Sequence, residues 1–92
     1  MTEAELKRKV VAMAHDAGWL VFSLPMIKNT RPVVGADGYP DLTLARLGRV
    51  VFIELKKEDG VLSPAQMRWL RELPNMLVIR PNDLDGLTRV LA

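Results

Sequence analysis

Asp41, Glu54 and Lys56 are the residues of this chain whose types and spacing suggest chemistry. Pro40-Asp41 stands thirteen residues before Glu54-Leu55-Lys56, with Arg46-Leu47-Gly48-Arg49 between them. A hairpin turn centred on Leu47-Gly48 would set Asp41 directly across from Glu54. Opposed β-carbons on neighbouring antiparallel strands lie about 4.5–5.5 Å apart. Two carboxylates that close repel unless a cation sits between them or one keeps its proton. Lys56 lies two residues beyond Glu54, so it leaves the same face of the strand. One face would then carry two carboxylates and an ammonium. Such a hard-oxygen site suits Mg2+ or Mn2+, with the lysine placed to steady or deprotonate a water. The inference depends on register, because a slip of one residue sends Asp41 to the opposite face. An isolated acid-x-Lys is more often a surface ion pair of small energy. The apolar run Val50-Val51-Phe52-Ile53 favours the site, since it puts the charges at the end of a buried strand, where α/β sites form.

The elements that must position these residues are readable from pattern. Thr2 to Ala17 reads as a helix with Leu6, Val10, Met13, Ala14 and Ala17 on one face. Thr2 and Glu5 have the spacing of a capping box, and Gly18 is the natural stop. Trp19 to Leu24 is a strand ended by Pro25. Residues 25–40 hold three prolines and two glycines and form a long loop, a feature that is more often functional than idle. Asp41 to Ala45 and Val50 to Lys56 are two strands of a hairpin. Ser63 caps the next helix, Pro64 takes its first position and Gln66 completes a second capping box. Leu62 and Met67 are placed for a hydrophobic staple, and Met67, Leu70 and Leu73 are expected inward. Met76 to Arg80 is a fourth strand. Asn82 is expected to cap a short final helix with Leu84, Leu87 and Leu91 as its face. A strand–helix–strand unit in the second half implies a right-handed crossover and parallel pairing. The order αβββαβα describes an α/β domain: a small mixed β-sheet flanked by helices.

Composition limits the alternatives. The 92 residues amount to a single domain, with 49% hydrophobic and 26% charged residues. That is too apolar for a disordered tail. Without cysteine there are no disulfides, thiolate metal sites or thiol nucleophiles. The apolar runs fall far short of the roughly 18 residues of a membrane span. The acidic start, Met1-Thr2-Glu3-Ala4-Glu5, is no signal peptide. A cytoplasmic protein with no membrane partner is expected. The formal charge of +2 permits nucleic-acid binding without arguing for it.

Taken together, Gly38-Tyr39-Pro40-Asp41, Glu54-Leu55-Lys56 and Leu62-Ser63-Pro64-Ala65-Gln66 resemble the PD-(D/E)xK nuclease superfamily. They resemble most closely its virus-type replication–repair nuclease (VRR-NUC) domain. The resemblance spans nearly the whole chain, and the Ser-x-x-Gln continuation makes it specific. It implies a restriction-endonuclease-like core and a metal-dependent DNA endonuclease giving 5′-phosphate products. In that scheme Asp41, Glu54 and the backbone carbonyl of Leu55 are metal ligands, for Mg2+ or Mn2+. Lys56 positions or activates the attacking water, and Gln66 reaches the site from its helix. An early glutamate completes it, either Glu3 or Glu5. Glu5 is occupied by the capping box, which favours Glu3. Gln66 meets the same objection, since Ser63 and Gln66 make a capping box by themselves.

The remaining residues have competing readings. Lys28 and Arg31, in the loop leading to Asp41, are candidate phosphate contacts. Tyr39 could stack on or wedge into branched DNA, and Arg68 and Arg71 could track a strand beside Gln66. Lys7, Arg8 and Lys9 read as a solvated helix face with phosphate contact as the alternative. His15 reads as a partner of its helix's C-terminal dipole. Trp19 and Trp69 read as core or dimer-interface residues. A domain of this size has no separate specificity module, so a homodimer acting on branched, flap or Holliday-junction DNA is the simplest expectation. The alternative is a catalytically idle DNA-binding or assembly module on the same fold.

Overall fold

The computed structural model describes residues 1–23 and 34–92. Its first helix, α1 (Glu3–Asp16), starts where the capping signals put it. The Thr2 hydroxyl accepts from Glu5 N at 3.1 Å, and the Glu5 carboxylate accepts from Thr2 N at 3.2 Å. The helix ends at Gly18, whose φ of +87° few other residues adopt cheaply. Gly18 N donates to His15 O and Trp19 N to Ala14 O, the paired bonds of a Schellman stop.

Strand β1 (Leu20–Ser23) follows, then β2 (Leu42–Arg46) and β3 (Arg49–Leu55). The β2–β3 register runs from Leu42 opposite Ile53 to Arg46 opposite Arg49. The turn is therefore centred on Leu47-Gly48, as the spacing requires. Both turn residues have positive φ, +49° and +79°, the signs of the type I′ turn that matches strand twist. Helix α2 (Pro64–Glu72), strand β4 (Met76–Ile79), a 3-10 turn (Pro81–Asp83) and α3 (Leu84–Val90) complete the chain. The strands lie side by side in chain order, β1-β2-β3-β4. The first two pairings are antiparallel and β3–β4 is parallel, so the sheet is mixed.

Alternation along the strands gives the sheet two unlike faces. Leu42 and Leu44 of β2 and Val51, Ile53 and Leu55 of β3 are buried on one face. They pack in one cluster with Leu6, Val10 and Ala14 of α1 and with Leu87 and Leu91 at α3. Burying each large apolar side chain contributes about 1.5–3 kcal/mol. Trp19 closes this layer at the turn end of the sheet. Its indole Nε1 donates to Leu91 O at 2.9 Å, and the Arg49 guanidinium lies 5.0 Å from its ring centre. The other face carries Phe22, Thr43, Phe52 and Glu54, and α2 meets it at Glu54, while Phe22 stays more than half exposed.

Some expected boundaries shift. β1 is described from Leu20, not Trp19, because Trp19 is folded into the core. β2 and β3 each sit one residue from the expected limits, so Asp41 and Lys56 flank the ladder instead of ending it. Met67 does not turn inward. It is 40% exposed, while Gln66, Trp69, Leu70 and Leu73 are half-buried. Gln66 takes the sheet-facing position instead, where its Nε2 donates to Glu54 Oε2 at 3.1 Å. Asn82 does not cap the last helix. It lies inside the 3-10 turn, which Asp83 closes by accepting from Arg80 N at 2.8 Å. Among the described residues, no helix is long and apolar enough to cross a membrane.

Leu47 holds a left-handed conformation with its side chain 88% exposed, so it incurs backbone strain and gains no burial. A left-handed L-residue costs roughly 1–2 kcal/mol, and asparagine bears it best. Leu47→Asn should raise stability by roughly 1 kcal/mol, read as a higher urea midpoint at unchanged slope.

Candidate active site

Asp41 and Glu54 meet because the hairpin register carries one residue past its last ladder pair. Pro40 is fully buried and fixes the backbone entering β2. Asp41 Oδ2 then accepts from Leu55 N at 2.8 Å, which ties the carboxylate to the far end of β3. Glu54 stands beside it, on the α2 face of the same strand.

Glu54 is 3% exposed, the one charged side chain among the described residues that is buried. Its two oxygens differ. Oε2 accepts from Gln66 Nε2 at 3.1 Å. Oε1 is buried and has no hydrogen-bond partner. Burial pushes the acid up to about 8 from an ordinary 4.5. The charge of Asp41 pushes the same way, and Glu3 adds a smaller push. The Lys56 ammonium opposes them. A buried, unpartnered carboxylate oxygen beside a second carboxylate is satisfied by a proton or by a cation, and both donors are hard oxygens. The residues therefore fit a divalent ion such as Mg2+ or Mn2+. Among the described residues no three His, Cys, Asp or Glu side chains converge, so Asp41 and Glu54 are the whole close carboxylate set.

Gln66 resolves a choice that sequence left open. Its Oε1 accepts from Ser63 N at 2.8 Å, while its own N donates to Ser63 Oγ at 3.1 Å. The same side chain's Nε2 reaches Glu54. The amide has two ends, so the residue caps α2 and touches the site at once. Glu5 is engaged with Thr2, whereas the charge of Glu3 is felt at Glu54. Glu3 is exposed at the start of α1. Lys56 is half-buried just past β3, where its N donates to Ile79 O at 3.0 Å. Leu55 contributes its N–H to Asp41.

Tyr39 is half-buried and packs edge-on against Trp69, with ring centres 5.0 Å apart, and against Phe52 at 6.3 Å. Trp69 Nε1 in turn donates to Asp37 O at 3.1 Å. This aromatic bracket between the loop and α2 is invisible in sequence, where Trp69 shows only a helical position. Arg68 is exposed and lines a shallow cavity of about 370 Å3 with Asp37, Trp69 and Glu72. Lys28 and Arg31 lie outside the described residues. No family model, curated protein or solved structure matches the chain.

The shift at Glu54 has a signed consequence. Without metal the folded protein keeps a proton there up to about pH 8, while the unfolded chain releases it near 4.5. The folded state then holds more protons between those values, and stability falls as pH rises through that window. Glu54→Gln should remove this fall, so the difference in Tm between about pH 5 and pH 9 shrinks relative to wild type. Equal pH dependence of the two proteins in thermal melts would contradict it.

Proposed function

We propose that the chain is a divalent-metal-dependent endonuclease that hydrolyses DNA phosphodiester bonds, selective for branched, flap or junction DNA. The observation that carries the reading is the unpartnered Oε1 of buried Glu54 beside Asp41, with Lys56 and Gln66 at the same place. The motifs Pro40-Asp41, Glu54-Leu55-Lys56 and Ser63-x-x-Gln66, with their resemblance to the VRR-NUC domain, support DNA as the substrate.

The side chains divide the work. Asp41 and Glu54, with the Leu55 carbonyl, would hold Mg2+ or Mn2+, which supplies a Lewis acid for the phosphate and a more acidic water. Leu55 N fixes Asp41, and Gln66 fixes Glu54 through Oε2, leaving Oε1 free to ligate. Lys56 holds the attacking water and offsets negative charge growing on the phosphate oxygens. Water adds to phosphorus as the bond to the 3′-oxygen breaks, leaving a 5′-phosphate and a 3′-hydroxyl. Arg68 is a phosphate contact in this reading, as are Lys28 and Arg31. Tyr39 acts there by bracing the loop. A second copy related by two-fold symmetry would bring two such centres to the two strands of a junction.

The test is a panel of junction, flap and plain duplex DNA incubated with Mn2+ or Mg2+. Wild type should cut the branched substrates, and Mn2+ should raise its Tm. Asp41→Ala, Glu54→Ala and Lys56→Ala should each lower cleavage by at least about 100-fold while circular dichroism stays native. Salt-sensitive DNA binding with no cleavage of any substrate would instead identify an idle binding module.

A further inference from the structure

We propose that Gly38 is a positioning residue, the contact through which the segment bearing Asp41, just ahead of β2, and the helix turn bearing Gln66 are held to one another. The proposal rests on reading this centre as a metal-dependent phosphodiesterase. A Cβ on residue 38 would collide with the Ala65 carbonyl carbon. It would also lie 2.6 Å from Gln66 N and 2.7 Å from Ala65 Cβ. Real β-carbons essentially never come within 3.0 Å of a neighbour. Two of these three atoms are backbone, so no flexible side chain can swing aside.

Both sides of the contact are stiff and lead to the site. On the loop side, Tyr39 N donates to Ala36 O at 3.1 Å and its ring is braced on Trp69. Pro40 is fully buried, and Asp41 comes next. On the helix side, Gln66 is bound by two hydrogen bonds to Ser63 and by one to Glu54. A methyl group at residue 38 must therefore displace either Gln66 from Glu54 or Asp41 from Leu55. Misplacing a catalytic group by about 1 Å can cost on the order of 100-fold in rate.

The fold supplies its own control. Gly38 has φ +77° and Gly48 has φ +79°, but a Cβ on Gly48 meets nothing within 4 Å. Gly48→Ala carries the same backbone strain at the hairpin turn without the clash. The experiment compares Gly38→Ala with Gly48→Ala by steady-state cleavage of branched DNA with Mn2+. It also follows the side-chain amide resonance of Gln66 by NMR in the metal-free proteins. Gly48→Ala should keep kcat within about two-fold of wild type and leave the Gln66 resonance in place. Gly38→Ala should lose at least about 10-fold in kcat with KM nearly unchanged, and its Gln66 resonance should move toward that of a free amide. A folded Gly38→Ala that matches Gly48→Ala in both readouts overturns the proposal. Should Gly38→Ala fail to fold, Ala65→Val decides, because it presses on the same contact from the helix without altering residue 38. An unmoved Gln66 resonance in folded Ala65→Val overturns the proposal equally. If wild type cuts no DNA yet the resonance moves as expected, the coupling stands and the nuclease reading falls.

Discussion

The structure turns on one electrostatic constraint: a carboxylate buried to 3% exposure next to a second carboxylate. Placing Glu54 in the interior costs free energy that a simple core would avoid. The surrounding elements arrange themselves to meet part of that cost. The hairpin register instead raises it by bringing the Asp41 charge alongside. Gln66 Nε2 takes one oxygen of Glu54, and Leu55 N takes one of Asp41. Lys56 follows directly at the strand end. What remains on Glu54 is one buried oxygen with no hydrogen-bond partner.

The two faces of the sheet differ in what they bury. The face under α1 and α3 is wholly apolar in its buried layer and holds the fold together. Trp19, clasped by Leu91 O and the Arg49 guanidinium, locks that layer at the end where the hairpin turns. The opposite face mixes aromatic and charged groups under α2. Because β3 pairs with β2 as far as Ile53 and with β4 through Leu55, its backbone is fixed on both sides up to the residue before Glu54 and on the β4 side at Glu54 itself.

The fold was largely legible in sequence because its signals are local. Two capping boxes, a glycine stop, a glycine turn and alternating strands all mark short stretches of chain. The pairing of Asp41 with Glu54 was legible for the same reason, since a two-residue turn leaves one register. What escaped depends on long-range contact. Gln66 read as either cap or site residue, because sequence shows the spacing to Ser63 but not that the other end of the amide meets a carboxylate. Met67 read as inward because apolar periodicity ignores the pull of a buried acid on its neighbour. Asn82 read as a cap because asparagine is a favoured cap residue ahead of the Leu84, Leu87 and Leu91 face, yet Asp83 makes the bond that closes the turn. Gly38 read only as the first residue of the Gly-x-Pro-Asp entry, and its packing on Ala65 and Gln66 joins segments nearly thirty residues apart.

The double engagement of Gln66 also has a dynamic side. Helix ends are the parts of a protein that open most readily, since their first turn has few backbone bonds to lose. Here the first turn of α2 is closed by the same side chain that grips Glu54. Fraying of that turn therefore loosens the grip on the carboxylate as well. The order of the site is only as great as the local opening free energy of one helical turn, and any ligand that binds Glu54 in its gripped position also holds α2 shut.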